Sequence, residues 1–297
     1  MLGFLNVDKQ PGMTSHDVVA HIRKITGIKR VGHAGTLDYA ASGVLPIAVG
    51  SACRLLRFLP TEKIYLADFM FGVKTTTDDL EGELLETIAL QSSITMQEIQ
   101  SHLTNFLGEQ LQKPPLYSAV HHQGKRLYQL AKAGHVPKDI KLRAVRIDAL
   151  DLLSLELPVA KVKIECSAGT YVRSIARDLG EKMGCGAAVS RLQRTRSGCF
   201  DIDQALSLSA IKELAQAGRL SEALLNPLDV LNINVINISD VDAEVLRAGQ
   251  SLSVTSALPP CYEDVKLYTA ASGNTIVALC QLKDDKKLYP EVVITNA

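Results

Sequence analysis

The six cysteines (53, 166, 185, 199, 261 and 280) include no Cys-x-x-Cys spacing, and the seven histidines form no metal motif. A metal centre and a dithiol redox site are therefore not expected, and reduced thiols are the simplest state. Adjacent His121 and His122 do not change this, because neighbouring side chains rarely suit one ion. No glycine-rich nucleotide loop is present. No apolar run reaches the ~18 residues of a membrane span. The opening Met1-Leu2-Gly3-Phe4-Leu5 has neither a basic leader nor a long apolar core, so no secretory signal is expected and a cytoplasmic protein is. Net charge is also missing, with 32 basic residues against 32 acidic ones. That balance argues at first against a polyanionic partner.

The distribution of charge argues the other way. From Lys113 to Arg146 there are eight basic residues and one acid, Asp139. Between Lys161 and Arg196 eight bases meet three acids, and from Asp78 to Glu109 seven acids meet no base. Such segregation suits a basic face for a phosphate backbone and an acidic back, although solvated faces balanced at random give the same totals. The length of 297 residues and a hydrophobic content of 46% fit two domains with a sizeable core.

Periodicity predicts a strand over 3–8 and a turn at Gln10-Pro11-Gly12. Thr14 or Ser15 then caps a helix burying Val18, Val19, Ile22 and Ile25, with Gly27 as its stop. Residues 44–49 read as a buried strand, followed by a short helix burying Leu55, Leu56 and Leu59. Residues 63–72 read as a strand. Thr95-Met96-Gln97-Glu98 is a capping box opening a helical stripe of Ile99, Leu103, Phe106 and Leu107 that runs to Gly108. Residues 114–136 are basic and turn-rich, an arm more than a core element, with a short helix near 127–132. Residues 160–166 alternate as a half-exposed strand. A helix with Val172, Ile175, Ala176 and Leu179 follows and closes at Gly184. Arg173 in its first turn opposes the helix dipole unless an acid meets it. After Asn226-Pro227 the chain becomes β-rich, with strands expected at 233–238, 266–271, 275–282 and 291–295, and one helix at 241–248. The mixture lacks βαβ regularity, so the fold class is α+β.

Between Asp17 and Glu62 only one acid occurs, Asp38, in the stretch Gly32-His33-Ala34-Gly35-Thr36-Leu37-Asp38-Tyr39-Ala40-Ala41-Ser42-Gly43-Val44-Leu45-Pro46. A lone carboxylate in a glycine-bracketed loop is a candidate nucleophile or general base. An aspartate that closes a turn through its own backbone gives the same pattern. The glycines would let another molecule approach the main chain closely.

This stretch closely resembles the active-site motif of the bacterial tRNA pseudouridine-55 synthases, the TruB type. The likeness extends, in order, to residues 3–15, to Lys63-Ile64-Tyr65, and to Lys113-Pro114-Pro115-Leu116-Tyr117-Ser118-Ala119 with Gly124-Lys125-Arg126-Leu127-Tyr128. It continues through residues 166–174, Asp178-Leu179-Gly180 and residues 191–198. In the tail, Arg247-Ala248-Gly249-Gln250 and Leu288-Tyr289-Pro290 are similar to the family's RNA-binding PUA domain.

The resemblance implies a mixed, mainly antiparallel sheet in a catalytic domain over 1–230, with an RNA-gripping insertion at about 113–146. A PUA-like, barrel-like domain would follow over 231–297. It implies Asp38 as the catalytic residue, with Arg173 as its partner. His33 would hold the gap left by the target nucleotide, Tyr65 would stack on the flipped uracil, and Tyr171 and Leu192 would line the pocket. The implied activity is isomerisation of uridine 55 in the T-arm of tRNA, by a monomer without cofactor, metal, membrane or obligatory protein partner. Two rivals share these residues: a guide-RNA-dependent synthase subunit and a tRNA-folding chaperone with dispensable catalysis. The first is less expected here, because such subunits usually carry an N-terminal extension and a basic tail. The chain departs from the family pattern at Tyr39, Ala40, Ser42, Thr76 and His121, and Tyr39 adjoins the catalytic aspartate.

Overall fold

The computed structural model describes residues 1–90, 94–137, 139–253 and 267–295. Lys138, Cys261 and the first residue of the strand expected at 266–271 lie outside them. Contacts divide the chain into two compact units. The first comprises Met1–Asp38, Val44–Pro60 and Cys199–Ala297, and the second Tyr39–Gly43 and Thr61–Gly198.

In the first unit, the strand Gly3–Lys9 is buried at every position but one. One of its edges is held by main-chain bonds from residues 206 and 225, with Phe4 N–H to Leu225 O at 3.0 Å and Asp8 N–H to Leu206 O at 2.9 Å. The helix Ser15–Thr26 starts as expected. The Thr14 hydroxyl accepts from Asp17 N–H, and the Asp17 carboxylate accepts from Thr14 N–H, so two orphan donors are satisfied reciprocally. The Thr14 hydroxyl, donating to the Asp17 carboxylate at 2.7 Å, and Thr14 N–H, donating at 2.8 Å, hold the Asp17 carboxyl below its ordinary range. Gly27 ends the helix with a left-handed φ of 70°. The strand Val31–His33 pairs antiparallel with the far end of Ser42–Val49, so that His33 lies opposite Ile47.

The C-terminal residues of this unit form a five-stranded sheet in which Val235–Asn237 runs parallel to Leu267–Ser272 and the remaining pairings are antiparallel. Both faces of this sheet are covered. Ile276, Leu279, Val292 and Ile294 share a core with Phe4, Val44, Ala48, Leu55, Phe200 and Val230. Tyr268, Ala270, Val277, Cys280 and Leu288 pack with Ala243 and Leu246 of the helix Asp240–Arg247. The last strand is Lys287–Val293, four residues earlier at its start than the 291–295 expected from composition. Pro290 obscured it. Proline cannot donate to a ladder, and it falls beside the bulge between Leu279 and Cys280, where the register is already interrupted.

The second unit is built on an antiparallel sheet in the order Ala187–Ser197, Lys63–Phe71, Val159–Cys166, Arg143–Glu156, Gly108–Gln112. Lys63–Phe71 alternates strictly, with odd-numbered residues buried. The helix expected to run to Gly108 ends at Thr104, and Leu107 is 44% exposed. Gly108, with φ 86°, instead opens a strand whose residues 108–112 pair with Ile147 back to Arg143. The last residues of the implied insertion, 143–146, are therefore part of the sheet. Burial of Val145 and Ile147 fixes the register there, while Arg143 and Arg146 stay outside. The helix Val172–Lys182 closes at Gly184, which has a left-handed φ of 70°.

Candidate active site

Asp38 stands in the loop joining Val31–His33 to Ser42–Val49 and is half-buried. The residue before it is held firmly: Leu37 N–H donates to the Ser15 hydroxyl at 2.9 Å, and that hydroxyl lies 3.3 Å from the Leu37 carbonyl. Earlier in the loop, Ala34 N–H donates to Pro46 O at 2.9 Å. His33 enters from the ladder with its ring half-buried. Tyr39, the departure beside the aspartate, is 54% exposed, so its bulk meets solvent more than packed protein.

Two glycines of the motif, Gly32 and Gly43, lie in the strands that flank the loop. At Gly43 (φ 102°) an added Cβ would overlap the main chain of Arg194, the residue it pairs with in parallel. A Cβ on Gly32 would press on the Leu56 side chain at 3.0 Å. Both glycines serve the chain's own close packing.

In the second unit, Tyr65 lies opposite Ile164 on one neighbouring strand and Arg194 on the other, and Leu192 lies opposite Ala67. Directly opposed residues share a sheet face, so Tyr65, Arg194, Leu192 and Ile164 stand on one face. Tyr65 is 9% exposed and Arg194 1%. The fold thus brings two of the predicted pocket residues, Tyr65 and Leu192, together.

Tyr171 and Arg173 come together at the start of the helix Val172–Lys182, where Tyr171 is the N-cap residue. Its main chain is clamped at both polar groups by buried Gln112, which accepts from Tyr171 N–H at 2.8 Å and donates to Tyr171 O at 3.1 Å. Arg173 spreads its guanidinium over three acceptors. Nη1 donates to Thr77 O at 2.8 Å and lies 3.5 Å from the Asp79 carboxylate, while Nη2 donates to Tyr117 O at 3.1 Å. The cation that opposes the helix dipole has therefore met an acid. Asp79 is itself fixed, by the hydroxyl of Thr77 on its carboxylate and that of Thr75 on its carbonyl.

One turn further on, Arg177 bonds Asp78 at 3.0 Å, Asp178 at 2.7 Å and Lys113 O at 3.0 Å. Burial pushes the Asp78 and Asp178 carboxyls above their ordinary range, against the pull of the nearby arginines. Arg177 moves up as well: burial opposes its charge, and the two carboxylates outweigh that.

Two of the seven acids read as an acidic back, Asp78 and Asp79, are thus internal partners of arginines. The same bonds tie down the base of the basic arm. Ser174 Oγ donates to Lys113 O at 2.8 Å, and Pro114, Pro115 and Ser118 are buried. Beyond that base the arm carries exposed Lys125, Arg126, Lys132 and Lys141, and exposed Arg143 and Arg146 follow at the start of the strand Arg143–Glu156. Sequence reasoning missed Ser15, Thr77, Asp79 and Gln112. Ser15 had a signal as a candidate helix cap and Asp79 as one of the acids between Asp78 and Glu109, while nothing local distinguishes Gln112. Among the described residues no group of three or more His, Cys, Asp or Glu could hold a metal ion, and no helix is long and apolar enough to cross a membrane.

Residues 23–172 match the family model described as TruB family pseudouridylate synthase (N terminal domain), and residues 173–231 match that of the tRNA pseudouridylate synthase B C-terminal domain. A tRNA pseudouridine synthase B of Microcystis aeruginosa is 45% identical over 99% of both chains. One of Gloeobacter violaceus is 50% identical over 73% of this chain and 75% of its own. Among solved structures, a chain from an H/ACA RNP bound to a substrate RNA containing 2'-deoxyuridine superposes with a TM-score of 0.74 at 25% identity. That match covers 99% of this chain and 85% of the other. With matches that run from end to end at such identities, this chain belongs to the TruB family of pseudouridylate synthases.

Proposed function

We propose that the chain is a tRNA pseudouridine synthase that isomerises uridine 55 in the T-loop, with Asp38 as its catalytic carboxylate. The observation that carries this reading is the end-to-end likeness to relatives named tRNA pseudouridine synthase B. The reaction breaks the N1–C1′ bond of uridine, turns the base and joins C5 to the same C1′. N1 ends with a proton, and the C5 proton goes to solvent. No electrons are gained or lost. The chemistry calls for a carboxylate acting as nucleophile or as base toward ribose, held in a fixed position. Asp38, in a loop secured at Leu37, suits that need.

In this reading His33, Tyr65, Tyr171, Arg173 and Leu192 bind the target nucleotide. A base leaving its stack costs a few kcal/mol. Stacking on an aromatic ring such as Tyr65 returns about 1–3 kcal/mol. The exposed bases of the arm meet phosphates, and residues 231–297 act as a PUA-like RNA-binding part beside a catalytic part over 1–230. The protein works as a monomer in the cytoplasm, without cofactor or obligatory protein partner.

The likeness to an RNP subunit favours one rival, a guide-RNA-dependent enzyme. Identity weighs against it: 25% to that subunit, compared with 45% to the Microcystis relative. Tritium release decides between them. A T-arm stem-loop carrying tritium at uracil C5 should lose it to water when mixed with the purified chain alone, and only when the label is at position 55. No release by a folded, RNA-binding chain, or equal release from other uridines, contradicts the proposal.

A further inference from the structure

We propose that Ser15 is a positioning residue for Asp38: its hydroxyl brackets the main chain of Leu37 and thereby fixes where the next residue's carboxylate stands. The inference rests on Asp38 being the catalytic carboxylate.

One hydroxyl serves both polar groups of one residue. It accepts from Leu37 N–H at 2.9 Å and donates to Leu37 O at 3.3 Å. In a sheet, the N–H and C=O of a residue are met by a neighbouring strand. Leu37 lies in the loop between two strands, outside any ladder, and the Ser15 side chain supplies what a strand would. Both residues are buried, Ser15 at 2% exposure and Leu37 at 3%. Water therefore does not compete for the bracket, and removing it would strand two buried main-chain groups.

The bracket acts on Asp38 through covalent geometry. The carbonyl of Leu37 belongs to the planar peptide unit that also contains the nitrogen and Cα of Asp38. Fixing that plane leaves only the torsions of Asp38 itself to place its carboxylate.

Ser15 is well suited to hold such a plane. It is the first residue of the helix Ser15–Thr26, whose start is locked by the reciprocal bonds of Thr14 and Asp17. The anchored helix thus reaches 22 positions along the chain to the residue beside the carboxylate. Both ends of the bracket are buried, away from the surface that RNA would meet, so its loss should slow turnover without weakening RNA binding.

The test measures tritium release, T-arm affinity and thermal melting for the full chain and for Ser15→Ala, Ser15→Thr and Asp38→Asn. A misplacement of about 1 Å costs roughly 100-fold in rate. Ser15→Ala should therefore lower kcat by about 10- to 100-fold, with RNA affinity changed by less than about twofold. Ser15→Thr keeps the hydroxyl and should recover most of the lost rate. Wild-type kcat in Ser15→Ala, alongside inactive Asp38→Asn, overturns the inference and leaves the reading of Asp38 intact. Equal slowing by alanine and threonine, or a fall in RNA affinity parallel to that in kcat, overturns it too. Retained turnover in Asp38→Asn removes the reading and the inference together. Should Ser15→Ala not fold, Ser15→Cys, of similar volume and weaker hydrogen bonding, is judged by the same outcomes.

Discussion

Arg173 shows how much one side chain does here and why lysine would not replace it. Its guanidinium reaches Thr77 O, Tyr117 O and the Asp79 carboxylate from one buried position, and the two carbonyls lie on separate segments of the second unit. A lysine offers a point charge on a flexible stem and cannot present the planar fork those acceptors fit. Arg173→Lys should cost about 2–4 kcal/mol of stability, the scale of one or two charge-assisted hydrogen bonds left unmade in a buried site. It should also lower tritium release at least tenfold. A denaturant melt and the release assay check this together, and a variant with wild-type midpoint and rate contradicts it. The sequence made Arg173 conspicuous, because a cation in a helix's first turn opposes the dipole. It did not identify Asp79, because a carboxylate that closes a turn reads like one that holds an arginine. Gln112 left no trace at all. Its importance lies in facing the main chain of Tyr171, 59 positions away, a proximity that only the sheet creates.

At the scale of elements, what was legible followed the strength of local signals. The helix Ser15–Thr26 could be read from its cap and its left-handed stop, and the strand Lys63–Phe71 from strict alternation. The strand Arg143–Glu156 could not, since its first basic residues fall within the implied insertion and its other partner, Gly108–Gln112, lies before that insertion, although Val159–Cys166 follows it directly. Residues 206 and 225 bond the edge of Gly3–Lys9 without any periodicity to announce it. The end of the helix Val172–Lys182 adds a constraint that helix propensity alone would get backwards. Replacing glycine by alanine inside a helix ordinarily stabilises it by about 0.5–1 kcal/mol. At Gly180 a Cβ would overlap the main chain of Gly186 and Ala187, where the chain folds back into the next strand. Overpacking against backbone costs about 1–3 kcal/mol. Gly180→Ala should therefore lower the melting temperature, and a raised one contradicts the packing described.

At the scale of the molecule, a chain without net charge presents a basic arm because most of its acids lie elsewhere in the sequence. Asp78 and Asp79 neutralise Arg177 and Arg173, while the arm's own bases remain exposed. The same view changes how the C-terminal residues should be probed. Ile276, Leu279, Val292 and Ile294 share a core with Phe4, Val44 and Leu55. Deleting everything after Pro227 would strip that core and report on folding rather than on RNA affinity. Substitutions on the exposed surface of 231–297 are the sound alternative. The central claim, that Asp38 carries the chemistry while the rest of the chain binds and positions RNA, is tested most directly by Asp38→Asn. The measurement is tritium release from the T-arm stem-loop, taken beside the dissociation constant for the same RNA. The account predicts no detectable release with the affinity nearly unchanged. Turnover retained by Asp38→Asn would contradict it.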